Sequence, residues 1–170
     1  LDFKFIFLLC SERSGSNFIT SLMNKHSKIN GPGAKHIINP VARNYFRYLP
    51  FERNNNWEKL IDDILNLFNA DFSVWRRSFT KKEIIEKVSF GDIGQLIQFF
   101  FKEESKINNK HISFVKEIKA YEFFPFVEYF YSNSGFVYQT RDPRDMALSW
   151  RKSKPHQGGL YKASVQWKND

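Results

Sequence analysis

The chain is poor in the residues that form cross-links and metal sites. Cys10 is the only cysteine among 170 residues, so an internal disulfide is impossible and no zinc-binding set of cysteines exists. Cys10 also lies within an apolar run, which favours a buried, unreactive thiol over a nucleophile. We therefore expect no disulfide chemistry and no cysteine-based zinc site.

Long apolar segments are missing as well. No stretch reaches the roughly 18 apolar residues that a membrane-spanning helix needs, and the start of the chain lacks a signal-peptide pattern. No Asn-x-Ser/Thr glycosylation sequon occurs either. These absences predict a cytoplasmic domain with no membrane span. Leu1 is not an initiator methionine and the last residues look helical, so we also expect one or both ends to be truncated, and an upstream anchor or a lumenal location stays open.

Aromatic residues and positive charge are abundant. Aromatic side chains make up 18% of the sequence, with 19 phenylalanines, which is enough apolar bulk for a globular core. The length of 170 residues predicts one domain. The net charge of +8 favours a polyanionic partner, which could be a nucleic acid, an anionic membrane, a sulfated glycan or a nucleotide with several phosphates.

The most informative segment begins with an apolar run that leads directly into a helical pattern. Phe5–Cys10 is short, aromatic and apolar throughout, which predicts a strand of a parallel sheet covered on both faces. From Phe18 the apolar spacing becomes helical, and one side of the predicted helix carries Phe18, Ile19, Leu22 and Met23.

The loop between this strand and this helix has the composition of an anion site. Gly15 and the small residues beside it allow backbone N–H groups to converge at the helix N-terminus. Arg13 adds a planar cation suited to phosphate or sulfate. Further side-chain donors come from Ser14, Ser16 and Asn17. The Walker A pattern of NTP-binding loops is absent. The alternative is an ordinary strand-to-helix turn with serine caps.

A second junction of the same kind occurs near the end of the chain. Gly135–Thr140 predicts a strand, and Pro143 suits the first turn of the helix that follows. Arg141 lies at the entry to this helix, and Ser149 follows two turns later, so both can approach one phosphate. A salt-bridged surface corner is the alternative for this Arg-Asp-Pro-Arg-Asp sequence.

Together the two motifs resemble the cofactor motifs of sulfotransferases that use 3′-phosphoadenosine 5′-phosphosulfate (PAPS). In that family a Lys or Arg followed by Ser-Gly-Ser/Thr binds the 5′-phosphosulfate, and Arg-x-x-x-Asp-x-x-x-Ser binds the 3′-phosphate. The resemblance implies an α/β three-layer sandwich with a central parallel sheet, similar to P-loop nucleotide kinases. It also implies transfer of a sulfuryl group from PAPS to a hydroxyl or amine acceptor, for which a carbohydrate is one candidate, with 3′,5′-ADP as the product and no metal.

The same resemblance assigns the cofactor contacts residue by residue. Arg13 would contact the transferring group and its bridging oxygen. Phe18 stands where many family members have tryptophan and would pack against adenine. Arg141 and Ser149 would hold the 3′-phosphate. The 5′-phosphosulfate would be cradled by Ser14, Gly15, Ser16 and Asn17.

The catalytic base is less well defined by the resemblance. Members that act on hydroxyl groups often have Lys-Thr-His at the end of a middle strand, and the predicted strand Ile112–Ile118 carries Lys116 and Glu117 there, with isoleucine at the histidine position. Other members place a glutamate after the second strand, where this chain offers His36. The catalytic candidates are therefore Arg13, His36, Lys116 and Glu117, and the base is either His36 or Glu117.

The middle of the chain, about residues 40 to 110, is predicted to be helical. A stripe from Trp57 to Phe68 has helical period with asparagine caps available, Thr80 and Glu83 form a capping-box pattern, and Asp92 can cap the next helix. Tyr121–Tyr131 is predicted to be an aromatic helix with Pro125 in its first turns.

Two other functions are compatible with parts of the sequence. An NTP-dependent kinase would share the fold, but the Walker lysine and a Mg²⁺-binding signature are missing. A basic nucleic-acid-binding module would explain the positive charge and the aromatic content. Because the aromatic residues cluster on apolar helical stripes, we interpret them as core and expect no nucleic-acid partner.

Overall fold

A central parallel sheet organises the computed structural model, which describes residues 2–51, 55–70, 73, 75–117, 119–153 and 159–169. Its strands are β1 (Lys4–Cys10), β2 (Ile29–Asn30), β3 (Ile112–Lys116) and β4 (Gly135–Gln139), in the spatial order β2-β3-β1-β4. Every pairing is parallel. The α-helices are α1 (Ser16–Asn24), α2 (Ile38–Asn44), α3 (Asn56–Asn69), α4 (Lys81–Lys87), α5 (Ile93–Ile107), α6 (Phe124–Phe130), α7 (Pro143–Ser153) and α8 (Gly159–Asn169), with 3-10 helices at Tyr45–Tyr48 and Ala120–Phe123.

Helices cover both faces of the sheet, which confirms the predicted α/β class. Alternate residues of β1 point to opposite faces, so Phe5 and Phe7 enter one apolar cluster while Leu8 enters another. The first cluster contains the buried stripes of α3 and α5, and the second is closed by Ile19 and Met23 of α1. The apolar run over Phe5–Cys10 therefore indicates a strand with two covered faces, as expected for a parallel sheet.

The aromatic residues of the middle segment form the larger core, as predicted. Phe68 at the end of α3 stacks on Phe100 of α5, with ring centroids 4.9 Å apart, and meets Trp75 edge to face at 4.8 Å. Phe5 of β1 contacts Phe101 at 5.5 Å and Tyr131 at 4.8 Å. Edge-to-face and stacked pairs contribute about 0.5–1.5 kcal/mol each beyond their buried area.

The apolar side predicted for α1 is buried only in part, because Ile19 and Met23 pack against the second cluster while Phe18 and Leu22 are exposed. Ser16 and Thr20 are buried, whereas Phe18 and Leu22 are 71% and 52% exposed. A Cβ at Gly31 would be only 2.6 Å from the Thr20 carbonyl oxygen. The backbone of α1 at Thr20 thus lies too close to Gly31 for any side chain at that position. Gly31 serves this close approach.

Several element boundaries differ from the sequence prediction. The strand predicted over Ile112–Ile118 ends at Lys116, and Ile118 lies outside the described residues. The Tyr121–Tyr131 segment is divided into a 3-10 turn and α6, with Pro125 in the first turn of α6. Thr80 and Asp92 cap α4 and α5 as predicted, but Asn55 at the N-cap of α3 makes no side-chain capping bond.

No helix within the described parts of the chain is both long and apolar enough to span a bilayer.

Candidate active site

The predicted anion-binding residues meet at the carboxyl edge of the sheet. Because the strands are parallel, the loops that follow β1, β3 and β4 leave the same edge, which is where open α/β sheets bind ligands. A cleft of about 270 Å³ lies there. Its lining consists of Glu12, Arg13, Gly15, Ser16, Asn17, Lys116, Arg141 and Ser149.

The loop after β1 has the backbone form of an anion-binding nest. Arg13 and Gly15 both have left-handed backbone angles, with φ of 66° and 96°. Alternation of right-handed and left-handed residues turns successive N–H groups toward one point. A non-glycine residue rarely adopts this region, so the fold holds Arg13 in a strained conformation at the cleft.

The N-terminus of α1 is not closed by a serine cap. Gly15 is the N-cap residue and makes no side-chain capping bond, which contradicts the alternative of a serine-capped turn. The first N–H groups of the helix are thus left for a ligand or water. Ser14, predicted to bind the anion, lies outside the described lining of the cleft, and its buried hydroxyl has no hydrogen-bond partner among the described residues.

Two arginine-bearing corners, the strand-loop-helix junctions at Arg13 after β1 and at Arg141 after β4, contact each other directly. Arg13 donates from Nε to the Ser149 hydroxyl at 3.0 Å, and Arg141 donates from Nη1 to the Arg13 carbonyl oxygen at 3.2 Å. Arg141 and Ser149 thus lie on the same cleft as the first loop, although more than 120 residues separate them along the chain.

The second corner uses its two arginines differently. Arg144 forms an ion pair with Asp142 at 2.6 Å, and this bond lowers the pKa of Asp142 to about 2. Arg141 lines the cleft, with Asp145 3.9 Å from its Nη2. The salt bridge expected from the alternative interpretation is therefore formed by Arg144, whereas Arg141 lines the cleft. Pro143 begins α7, as predicted.

Lys116 joins the cleft from the end of β3. Its ammonium donates to Asn17 Oδ1 at 2.9 Å. Burial lowers the Lys116 pKa from its ordinary value, and the charge of Arg13 acts in the same direction, while Cys10 and Glu12 act against it. The structure therefore places the predicted lysine beside the first loop.

His36 lies next to this cleft without being part of its lining. It precedes α2 and has a left-handed φ of 54°. Burial lowers the pKa of His36, as does the charge of Lys116, while Glu12 acts in the opposite direction. A lowered pKa keeps more of the imidazole neutral near pH 7, which is the form that accepts a proton.

Glu117 has a structural environment that its sequence position did not reveal. Its side chain is only 2% exposed, and its two carboxylate oxygens accept the backbone N–H groups of Ile38 at 2.8 Å and Asn39 at 2.9 Å. Glu117 thus fixes the start of α2 and does not line the cleft, which corrects the expectation of an accessible base at this position. Burial outweighs these hydrogen bonds and raises the Glu117 pKa to about 7.

This buried carboxyl group leads to a prediction on stability. At pH values between the ordinary pKa of 4.5 and the folded-state pKa of about 7, the Glu117 carboxyl group is deprotonated in the unfolded chain but protonated in the folded chain. Folding then takes up a proton, so the free energy of unfolding should fall by about 2 kcal/mol from pH 5 to pH 8. Urea titrations at several pH values measure this slope. Glu117→Gln should remove most of it, and an unchanged slope in this variant would contradict the assignment.

Two residues that the motifs did not single out complete the site. Gln139, the last residue of β4, donates from Nε2 to the Ser14 carbonyl oxygen at 3.0 Å and so ties the first loop to the second corner. Glu12 is the only acidic residue among the described lining residues of the cleft. Their positions directly before the two arginine motifs are the signal that could have identified them. Phe18, in contrast, is an exposed residue of α1 outside the cleft lining.

The fold and the cleft define a parallel α/β protein with two arginine-bearing strand-loop-helix corners at one edge of its sheet. Comparison with protein families assigns a protein of this fold to a specific family. The model of the sulfotransferase family matches residues 6–166, so the chain belongs to the sulfotransferase family. The family supports sulfotransfer as the general activity. No curated protein and no solved structure gave a significant match.

Proposed function

We propose that this chain transfers a sulfuryl group from PAPS to a hydroxyl or amine acceptor. The observation that carries the proposal is the meeting of Arg13 and Arg141 on one cleft. PAPS has charge at both ends of one adenosine, and two separate cationic corners at one cleft match that distribution. PAPS brings the activated sulfuryl group, and the protein supplies binding, charge and a proton acceptor.

The first corner suits the 5′-phosphosulfate. The nest around Gly15 and the uncapped start of α1 both offer hydrogen-bond donors, and Ser16 and Asn17 line the cleft beside them. Arg13 adds a positive charge that stabilises negative charge developing on the bridging oxygen. Donors already fixed by the fold lose little entropy when they bind an anion, so they stabilise charge more effectively than water does.

The second corner suits the 3′-phosphate. Arg141 offers a guanidinium fork, and Ser149 lies on the same side of the cleft. These residues would distinguish PAPS from nucleotides that lack the 3′-phosphate. The exposed ring of Phe18, directly after the cleft residue Asn17, is available to stack on adenine.

His36 is the base that we assign. The acceptor proton would pass to its imidazole as the acceptor oxygen or nitrogen bonds to sulfur and the bond from sulfur to the 5′-phosphate breaks, releasing 3′,5′-ADP. The lowered pKa of His36 supports this role, and Lys116 would contribute positive charge near the leaving oxygens. Glu117 would act indirectly by fixing the start of α2 immediately after His36.

Labelled PAPS tests this proposal. The protein is incubated with [³⁵S]PAPS and a cell extract as the acceptor source, and the labelled product is isolated and identified. We expect label in a product only when protein and PAPS are both present, together with release of 3′,5′-ADP. Transfer from [γ-³²P]ATP instead would indicate the kinase, and binding of single-stranded DNA without any response to 3′,5′-ADP would indicate the nucleic-acid module.

A further inference from the structure

A second cavity is lined in part by Lys35, the residue before His36. It has a volume of about 280 Å³ and lies between the segment after β2, the end of α3 and the segment before α4. Its lining consists of Lys35, Leu65, Phe68, Asn69, Ser73, Trp75, Arg76, Arg77, Ser78 and Phe79. We call it the basic cavity, because its described lining contains three cationic side chains and no carboxylate.

The positive charge of the basic cavity is only partly compensated. Arg77 pairs with Glu83, but Lys35 and Arg76 have no ion pair with any residue that the structure describes. Lys35 is 9% exposed, and the one hydrogen bond found for its ammonium goes to the Phe68 carbonyl oxygen at 2.7 Å. An ammonium carries three donors, and a buried cation without a counter-charge is costly. An anion in the cavity would compensate that cost.

Backbone anchors fix the cationic side of the cavity. Glu104, 3% exposed, accepts the backbone N–H groups of Arg76 at 3.0 Å and Arg77 at 2.8 Å. Trp75 donates from Nε1 to the Gly33 carbonyl oxygen at 2.7 Å. These bonds hold the backbone at Arg76 in place, so its side chain extends from a fixed point.

Lys35, which lines the basic cavity, directly precedes His36 in the sequence. His36 is close enough to Lys116, a residue of the nucleotide cleft, for that charge to lower its pKa. No described residue lines both the cavity and the cleft. The basic cavity therefore begins one residue along the chain from the base that we assign, where an acceptor would place its nucleophile.

We infer that the basic cavity binds an anionic group of the acceptor, a carboxylate or a sulfate ester carried on a hydroxylated molecule. This inference rests on the proposed sulfotransfer and names the class of acceptor. Lys35 and Arg76 supply the charge, and uncharged hydrogen-bonding groups for neighbouring hydroxyls come from Asn69, Ser73 and Ser78. Neutral acceptors would lack the charge-assisted contacts and would bind more weakly.

Three sugars that differ only at carbon 6 test the inference: glucuronate, glucose 6-sulfate and glucose. Their binding is measured by NMR titration with the nucleotide cleft saturated by 3′,5′-ADP. We expect at least one of the two anionic sugars to bind five- to tenfold more tightly than glucose, and the stronger of the two identifies the anion. Equal affinities for all three sugars would overturn the inference.

Substitutions in the chain test whether the anionic sugar binds in the basic cavity. Arg76→Ala removes an exposed side chain but keeps the backbone bond to Glu104, so the fold should be retained, and the preference for the anionic sugar should be lost. Arg76→Lys should restore part of it. Arg47→Ala, which removes an exposed arginine outside both sites, should leave the preference unchanged. A preference that survives in Arg76→Ala would overturn the inference.

The outcome is separable from that of the proposed function. The same titrations are run on Arg141→Ala without nucleotide, which disables the nucleotide cleft but leaves the basic cavity intact. If that variant still prefers the anionic sugar while the wild type ignores 3′,5′-ADP, the basic cavity stands and the PAPS proposal fails. If 3′,5′-ADP binds and no anionic sugar is preferred, the PAPS proposal stands and the inference fails.

Discussion

Replacing Arg141 by alanine is expected to weaken 3′,5′-ADP binding roughly a hundredfold, because two charge-assisted hydrogen bonds of about 1.5 kcal/mol each are lost. Affinity for 5′-AMP should change little, since that nucleotide has no 3′-phosphate for Arg141 to bind. Isothermal titration calorimetry with both nucleotides measures the two affinities. The result would show whether Arg141 in the second corner binds the 3′-phosphate.

Arg144 provides a matched control for this experiment. It lies on the same corner as Arg141, but its side chain is 87% exposed, pairs with Asp142 and does not line the cleft. Arg144→Ala should therefore bind both nucleotides like the wild type. If the two arginine variants lose affinity equally, general electrostatic attraction explains the binding and the specific role of Arg141 is wrong.

Loss of the Arg13 side chain is expected to slow sulfuryl transfer by a factor of about 10³, the size seen when one fixed donor to a developing oxyanion is removed. Glycine is the suitable replacement, because Arg13 has a left-handed backbone and glycine adopts that region without strain. Single-turnover transfer from [³⁵S]PAPS measures the rate of the chemical step.

A lysine at position 13 distinguishes the effect of the positive charge from the effect of the planar guanidinium group. Arg13→Lys restores the positive charge without the planar fork, so part of the rate should return. Thermal unfolding of each variant controls for damage to the loop. A loss smaller than tenfold in Arg13→Gly, with folding intact, would show that Arg13 does not stabilise the transferring group.

The two arginine-bearing corners could be predicted because each is a local pattern. A fully apolar strand, a loop with one arginine and small residues, and a helix follow one another within about twenty residues of sequence. Parallel pairing then brings the ends of β1 and β4 to the same edge, whatever the intervening segment does. The contact between Arg13 and Arg141 follows from local chemistry and one topological rule.

Other features depend on contacts that local patterns do not contain. The exposure of Phe18 could not be predicted from helical periodicity, which puts it on the same side of α1 as Ile19 and Met23, both packed against the second cluster. The position of Glu117 after a strand suggested a catalytic carboxylate, yet its partners are backbone groups of α2, about eighty residues earlier. The basic cavity likewise joins the segment after β2 to residues beyond α3, and no spacing rule relates them.

The most direct test of the central claim is the affinity of the wild-type protein for 3′,5′-ADP compared with 5′-AMP, measured by calorimetry at one ionic strength. If both corners hold one nucleotide, 3′,5′-ADP should bind roughly a hundredfold more tightly, since only it carries the second phosphate. Equal affinities for the two nucleotides would contradict the claim that Arg13 and Arg141 bind the two ends of a single sulfate donor.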